Sequence, residues 1–326
     1  MELIKGMMLQ LFAGNTQVTT QDSLSDEMKT FYDKVLIKFA KPNLVHDQFA
    51  QTKNIPKNGG KTIEFRKYSP LAKALTPLTE GVTPDGQSLT VSTITATVAQ
   101  YGGFIELSDM LMLTAIDNNL VEAQEILGDQ AGRTLDTITR EVINGGTNVI
   151  YAGEKTGRGS LTTSDVMTVK LIKKAVRDLK VNLAKKINGY YVAIIHPDVA
   201  YDLTNDEEWI SASEYAGSTQ LFEGEIGKIH GVRFVETTEA KIFAGGGSGG
   251  RAVYSTLVLG SNAYGTTTVE GGGLQSIVKQ LGSAGTADPL NQRATAGWKA
   301  IKTAVRLVEG YMVRIESCST YDGAAN

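Results

Sequence analysis

Residues 57–107 constrain this 326-residue chain more than any other segment, because they read as regular structure with little of their own to bury. They run KNGGKTIEFRKYS, then PLAKALTPLTEGVTPDGQSL, then TVSTITATVAQYGGFIEL, which predicts a strand, a long proline-studded loop and a long strand. The second strand alternates Val91, Thr93, Thr95 and Thr97 against Ser92, Ile94, Ala96 and Val98. β-Branched residues favour extension, yet neither face offers side chains large enough for a core. From 89 to 99 a rise of about 3.3 Å per residue gives about 36 Å, about twice the usual strand. Residues 69–88 carry neither a helical nor a strand period, and loops of that length are usually functional or disordered. A two-stranded ribbon alone is marginal in water. Either it lies against another surface, most economically a neighbouring copy of the same protein, or it is a mobile hairpin with no partner.

The rest of the chain is ordinary enough to fold around a core of its own. Its length allows two domains, or one with large excursions. Thirty-two lysines and arginines against 35 acids leave a formal charge of −3. That balance argues against tight, sequence-independent duplex binding, which needs a surplus of lysine and arginine to release counterions. The single cysteine, Cys318, excludes an intrachain disulfide and a cysteine-based metal site, and fits a reducing cytosol. No apolar run reaches membrane-span length, so no membrane partner is expected. The N-terminal MELIKGMMLQLFAGN has a short apolar patch but carries Glu2 and Lys5 and no small-x-small cleavage site, and reads as a loose arm.

Ser23 is expected to precede a helix over 26–39 with Met28, Phe31, Val35 and Phe39 on one stripe, stopped by Pro42. After the hairpin, Ser108 opens a helical region whose main helix, 120–143, carries Leu120, Ala123, Leu127, Ala131, Leu135, Ile138 and Val142 on one face. Its other face, with Glu122, Glu125, Asp129, Arg133, Asp136, Arg140 and Glu141, reads as solvent or interface. Gly145 and Gly146 end it. A glycine-rich connection, YAGEKTGRGSLTT, then marks a boundary. Ser164 is expected to cap a helix bearing Val166, Val169, Ile172, Val176, Leu179 and Leu183, followed by a strand over 190–195 and a helix opening at Pro197. Strands over 232–236 and 252–259 complete an α/β or α+β unit. AGGGSGG, 244–250, reads as a flexible tip. The last strands, 274–281, 294–305 and 311–317, need a core, and the helix before Gly146 is the available partner. The α/β unit is then an insertion in a discontinuous domain.

Motifs for chemistry fail on physical grounds. Gly245, Gly247 and Gly250 match GxGxxG, but RAVYSTLVLG after them reads as strand, and a dinucleotide site needs a helix N-terminus there. Gly246, Ser248 and Gly250 match GxSxG, yet no histidine follows His230, as a hydrolase order requires. His46, His196 and His230 are scattered; the latter two read as capping or turn residues. Asp206, Glu207 and Glu208 read as the charged first turn of a helix. The expectation is no catalytic, cofactor-binding or metal site and no enzyme activity; a hydrolase is the weakest alternative.

Two segments carry more. LFEGEIGKIHGVRFVET, 221–237, resembles the loop, glycine turn and core strand of tailed-phage major capsid proteins, and ADPLNQRATAGWKAIKTAVRLVEGYMVRIES, 287–317, resembles their C-terminal strand pair. With AKPNLVHDQFAQ, GGKTIEFRKYSPL, LTEGVTPDG, ITATVAQYGGFIELSD and LGDQAGRTLDTITREV, the resemblance covers about 31–317 and points to the coliphage N-four-like major capsid family. It implies an α+β Hong Kong-97-type capsid fold: N-terminal arm 1–50, extended β-hairpin loop 51–107, peripheral domain with a long spine helix 108–164 and 266–326, and axial α/β domain 165–265. The implied function is a major capsid protein forming hexamers and pentamers of an icosahedral shell around a double-stranded DNA phage genome, held without sequence-specific binding. The implied place is the virion capsid, assembled in the bacterial host cytoplasm, with room for portal, scaffolding or decoration proteins as partners. An encapsulin-like nanocompartment around cargo proteins is the alternative. In either shell Arg66, Lys67, Glu80 and Asp85 are the candidate charged contacts to a neighbouring subunit.

Overall fold

The computed structural model describes residues 26–40, 44–68, 71–114, 119–216, 227–283, 288–323 and 326. The arm up to residue 25, Ser23 and Pro42 as helix signals, and 221–226 of the capsid-like motif lie outside them. In chain order the first half forms α1 (Asp26–Ala40), β1 (Gln51–Ile55), β2 (Thr62–Tyr68), β3 (Val91–Thr97), β4 (Ala99–Ser108), α2 (Asp109–Thr114), α3 (Asn119–Asn144) and β5 (Val149–Tyr151). The second half adds α4 (Val169–Val181), β6 (Tyr191–Ile195), α5 (Pro197–Thr204), α6 (Glu207–Ala216), β7 (Lys228–Ile229), β8 (Val232–Glu236) and β9 (Ile242–Phe243). It closes with β10 (Val253–Leu259), β11 (Tyr264–Val269), β12 (Gln275–Lys279), β13 (Arg293–Arg306) and β14 (Met312–Ser317).

One sheet is built around β13, which pairs with β4 along 293–302, with β12 across 295–299 and with β11 across 303–306. The spine helix α3 covers it. Leu120, Ala123, Leu127, Ala131 and Leu135 pack with Leu107, Ala296, Trp298 and Ala300 from the strands and Leu36 from α1. Burying a large apolar side chain stabilises by about 1.5–3 kcal/mol, so this layer holds helix to sheet. Gly128 and Gly132, one turn apart on α3, let α1 approach: a Cβ on Gly132 would stand 2.5 Å from the Ala40 carbonyl oxygen. Among the described side chains of α1, Leu36 and Ala40 are buried.

The second sheet runs β5-β14-β10-β6-β8-β7, with β9 on β10. β6 and β10 are buried along their whole length, as strands covered on both faces must be. The strand expected over 311–317 therefore joins the α/β unit, not the layer under the spine helix: β14 pairs with β10 over six residues. Val45, Ile143, Tyr264 and Met312 belong to a third cluster, joining the two sheets.

Three further expectations change. Ser164 does not cap a helix; Asp165 accepts from Thr162 N at 2.8 Å to make a turn, α4 begins at Val169 after Thr168, and Leu183 lies beyond the helix, exposed. Asp136 and Arg140, assigned to the outer face of the spine helix, are buried because each finds remote partners. Arg140 donates to the Glu239 and Asn326 carbonyls at 2.8 and 2.9 Å. The glycine run at 244–250 is docked, not loose. Ser248 N donates to Leu161 O at 2.8 Å, and a Cβ on Gly246 would meet Arg158 Cδ at 2.8 Å. Arg158 itself lies 3.4 Å over the Phe243 ring and holds buried Glu316 through two bonds of 2.7 and 2.8 Å.

The turn and cap assignments of the polar residues agree with the structure. His196 caps α5, accepting from Asp198 N at 3.2 Å, and His230 turns β7 into β8 with φ +49. Asp206 accepts from Glu208 N at 2.8 Å at the start of α6, and also from Val169 N at 3.0 Å at the start of α4. Strand β10 follows the glycine run, so no helix N-terminus stands there for a dinucleotide.

Candidate subunit interface

The hairpin grows from a rigid base. His46 N donates to Asp136 Oδ1 at 2.8 Å and its ring Nδ1 lies 2.6 Å from Oδ2, tying the chain after α1 to the spine helix. Asp47 accepts from Thr139 Oγ1 at 2.6 Å and pairs with Lys302. Tyr264 donates to the His46 carbonyl; burial, with Asp47 and Asp136 nearby, pushes its hydroxyl well above the usual phenol range. β1 then pairs in parallel with β11, in register from Gln51 with Gly265 to Ile55 with Val269.

β2 and β3 pair antiparallel over seven residues, from Thr62 with Thr97 to Tyr68 with Val91. One face carries Ile63, Phe65, Ile94 and Ala96. Phe65 and Ala96 are buried, and a Cβ on Gly265 would stand 2.7 Å from the Phe65 ring. The expectation that neither face buries anything thus fails at the hairpin's inner end. The glycine at 265 leaves room for the ring. β4, which directly continues β3, is held within the chain by ten pairs to β13. The segment in need of an outside surface shrinks from 57–107 to the outer hairpin and its loop.

That loop, 71–90, is exposed throughout and has neither helix nor strand. Leu71, Leu75, Leu78, Val82 and Leu89 all point outward, Leu75 and Leu78 at 81% and 77% exposure. The first four recur at spacings of four, three and four, a helical signal that Pro77 and Gly81 defeat. So many large apolar side chains on one excursion mark an interaction surface. α2 adds Met110, Leu111, Met112 and Leu113, with none of its residues buried. The sequence reading named charges and missed these apolar groups. Their signal was the run of leucines in a segment unable to form a helix.

The four charged candidates are all exposed but do not form one cluster. Arg66 and Lys67 lie on β2 and line a cavity of about 240 Å³ with Tyr68, Leu307, Val308 and Tyr311. Glu80 and Asp85 lie in the loop. None of the four makes an ion pair among the described residues. Among these residues no group of histidine, cysteine and acids could hold a metal, and no helix is long and apolar enough to cross a membrane.

A long helix laid over one sheet, a second α/β unit beside it and an exposed apolar hairpin define a shell subunit of the Hong Kong-97 type. The chain belongs to the phage capsid protein family, whose model matches residues 7–285, and is a major capsid protein of a phage shell. It is similar in fold to the capsid of Ralstonia phage GP4, with 16% identity, 85% of this chain and 89% of that one covered, and a TM-score of 0.68. The capsid asymmetric unit of cyanophage Pam1 gives 14%, 88%, 94% and 0.69. A virus-like particle from Pyrococcus furiosus gives 8%, 89%, 99% and 0.52. No curated protein sequence matches the chain.

Proposed function

We propose that this subunit builds an icosahedral shell of hexamers and pentamers around a double-stranded DNA genome, assembling in the host cytoplasm, as a member of the N-four-like branch. The exposed leucines of the 71–90 loop carry this reading: they are unburied in the single chain and need a neighbouring copy to cover them. Residues 1–50 act as arm, the hairpin as extended loop, α3 with the first sheet as peripheral domain and 165–265 as axial domain, with β14 contributed to the axial sheet. Arg66, Lys67, Glu80 and Asp85 align the contact. Exposed pairs give at most about 1 kcal/mol each, so apolar burial and the number of copies supply most of the cohesion. The subunit carries out no reaction. The match to the phage capsid protein family favours a genome shell over a cargo nanocompartment.

The test is deletion of residues 70–89. The expected product is a folded subunit by circular dichroism that forms no closed shells under negative-stain microscopy. Shells of normal size would remove the hairpin from the intersubunit role. Particles that never protect DNA from nuclease, in cells carrying the full operon, would favour the cargo shell.

A further inference from the structure

We propose that the outer face of α4, with the turn beside it, is a sequence-independent docking surface for the phosphate backbone of double-stranded nucleic acid. This rests on the reading that the shell encloses DNA. The core side of α4 is Val169, Leu171, Ile172, Ala175, Val176 and Leu179. Opposite, Lys170, Lys173, Lys174, Arg177 and Lys180 are all exposed and fall within an arc of about 120° at 3.6 residues per turn. Lys185 and Lys186 follow directly, and Lys228 faces Arg233 across the β7–β8 pair. Lys186 Nζ lies 3.6 Å from where a Gly231 Cβ would stand, which brings the β7–β8 turn beside the segment that follows α4.

Local acids do not balance this face. Glu154, Glu208 and Asp178 pair with Lys170, Lys173 and Arg177 at 3.5, 2.7 and 2.9 Å. Among the described residues Lys174, Lys180, Lys185, Lys186 and Lys228 have no ion pair. Cations three and four residues apart on a helix repel, so this row is unfavourable until an anion lies along it. The chain's net charge of −3 conceals the patch, because the compensating acids lie elsewhere.

The shape fits a phosphate chain. Lys173, Arg177, Lys180 and His230, with Val176 and Val181, line a groove of about 470 Å³. From 173 to 180 the helix advances about 10.5 Å, room for about three phosphates of one strand at 3.4 Å each along the duplex axis. Exposed Val181 and Leu183 flank the row, which makes an acidic protein segment the competing occupant. Exposed cations continue beyond the groove lining, at Lys170 and Lys174 on α4 and at Lys185, Lys186 and Lys228, which suits a uniform polyanion better than a short peptide.

The experiment uses the full-length unassembled subunit and fluorescent duplexes of about 30 base pairs in two unrelated sequences, at about 50 and 200 mM salt. Wild type should bind both equally, more weakly at high salt. Lys174→Glu/Arg177→Glu/Lys180→Glu should lose at least about tenfold in affinity and flatten the log–log salt slope by about 2.7, at 0.9 per phosphate contact. A charge-matched control at exposed Lys61, Lys279 and Lys299 should stay near wild type. Equal loss in the control, unchanged binding in the α4 variant, or capture of poly-glutamate without duplex binding would each overturn the proposal. Wild-type particles lacking nuclease-protected DNA would instead sink the genome-shell reading; particles that hold DNA, with the α4 variant binding duplex like wild type, would sink this surface alone.

Discussion

His196 shows how much one side chain's surroundings decide. Burial lowers its pKa from the ordinary 6.5, against the raising effect of the Asp198 carboxylate, whose Oδ2 is 3.4 Å from Nδ1. The same Nδ1 accepts the Asp198 N–H that caps α5, so protonation removes the cap's acceptor. With the folded pKa below the unfolded one, this contribution is present above about pH 6.5 and lost as pH falls through the folded value. The urea midpoint of the wild-type subunit should therefore decline below about pH 6.5 more steeply than that of His196→Asn, which caps without titrating. Parallel curves would show that the imidazole is not the sensor. His196 was legible as a cap because Pro197 follows it; His46 was not legible as an anchor, since Asp136 lies 90 residues away.

At the scale of elements, the α1–α3 contact depends on what two residues lack. In an open helix Gly→Ala gains about 0.5–1 kcal/mol. At Gly132 the added carbon would stand 2.5 Å from Ala40 O and 3.1 Å from its Cα, so the helices must part. Gly132→Ala should cost about 1–3 kcal/mol by urea unfolding, while Gly157→Ala, where a Cβ meets nothing within 4 Å, should stay within about 0.5 kcal/mol. Equal, small effects would mean the helices do not pack this closely in solution. The stripe of α3, strands near 232–236, 253–259 and 293–306 and the helix at Pro197 were readable from period and caps. β1, β5, β9 and β11 were not: they are short or polar, and each becomes a strand only through its partner.

Across the whole molecule, the extended loop divides the subunit into parts with different sources of order. Amides in 71–90 have almost no hydrogen-bonded partners within the chain, whereas those of β4 are locked to β13. Hydrogen exchange should be fast over 71–90 in the unassembled subunit and strongly protected in assembled particles, with β4 protected in both. Fast exchange of the loop in intact shells would leave its leucines uncovered and remove the apolar basis of assembly. The axial unit should change little, because its core closes within one chain.

By itself the sequence determined the spine helix, the hairpin, the absence of a recognisable catalytic motif and the resemblance to phage capsid proteins. These depend on period, turn residues and caps, which act within a few positions. Only the tertiary structure decided that β14 enters the axial sheet, that Asp136 and Arg140 are buried, that the glycine run at 244–250 is docked, and that scattered lysines share one face beside α4. Each depends on groups brought together from distant parts of the chain. Burial of a charge or pairing of a strand is settled by the partner it meets, which local pattern cannot specify.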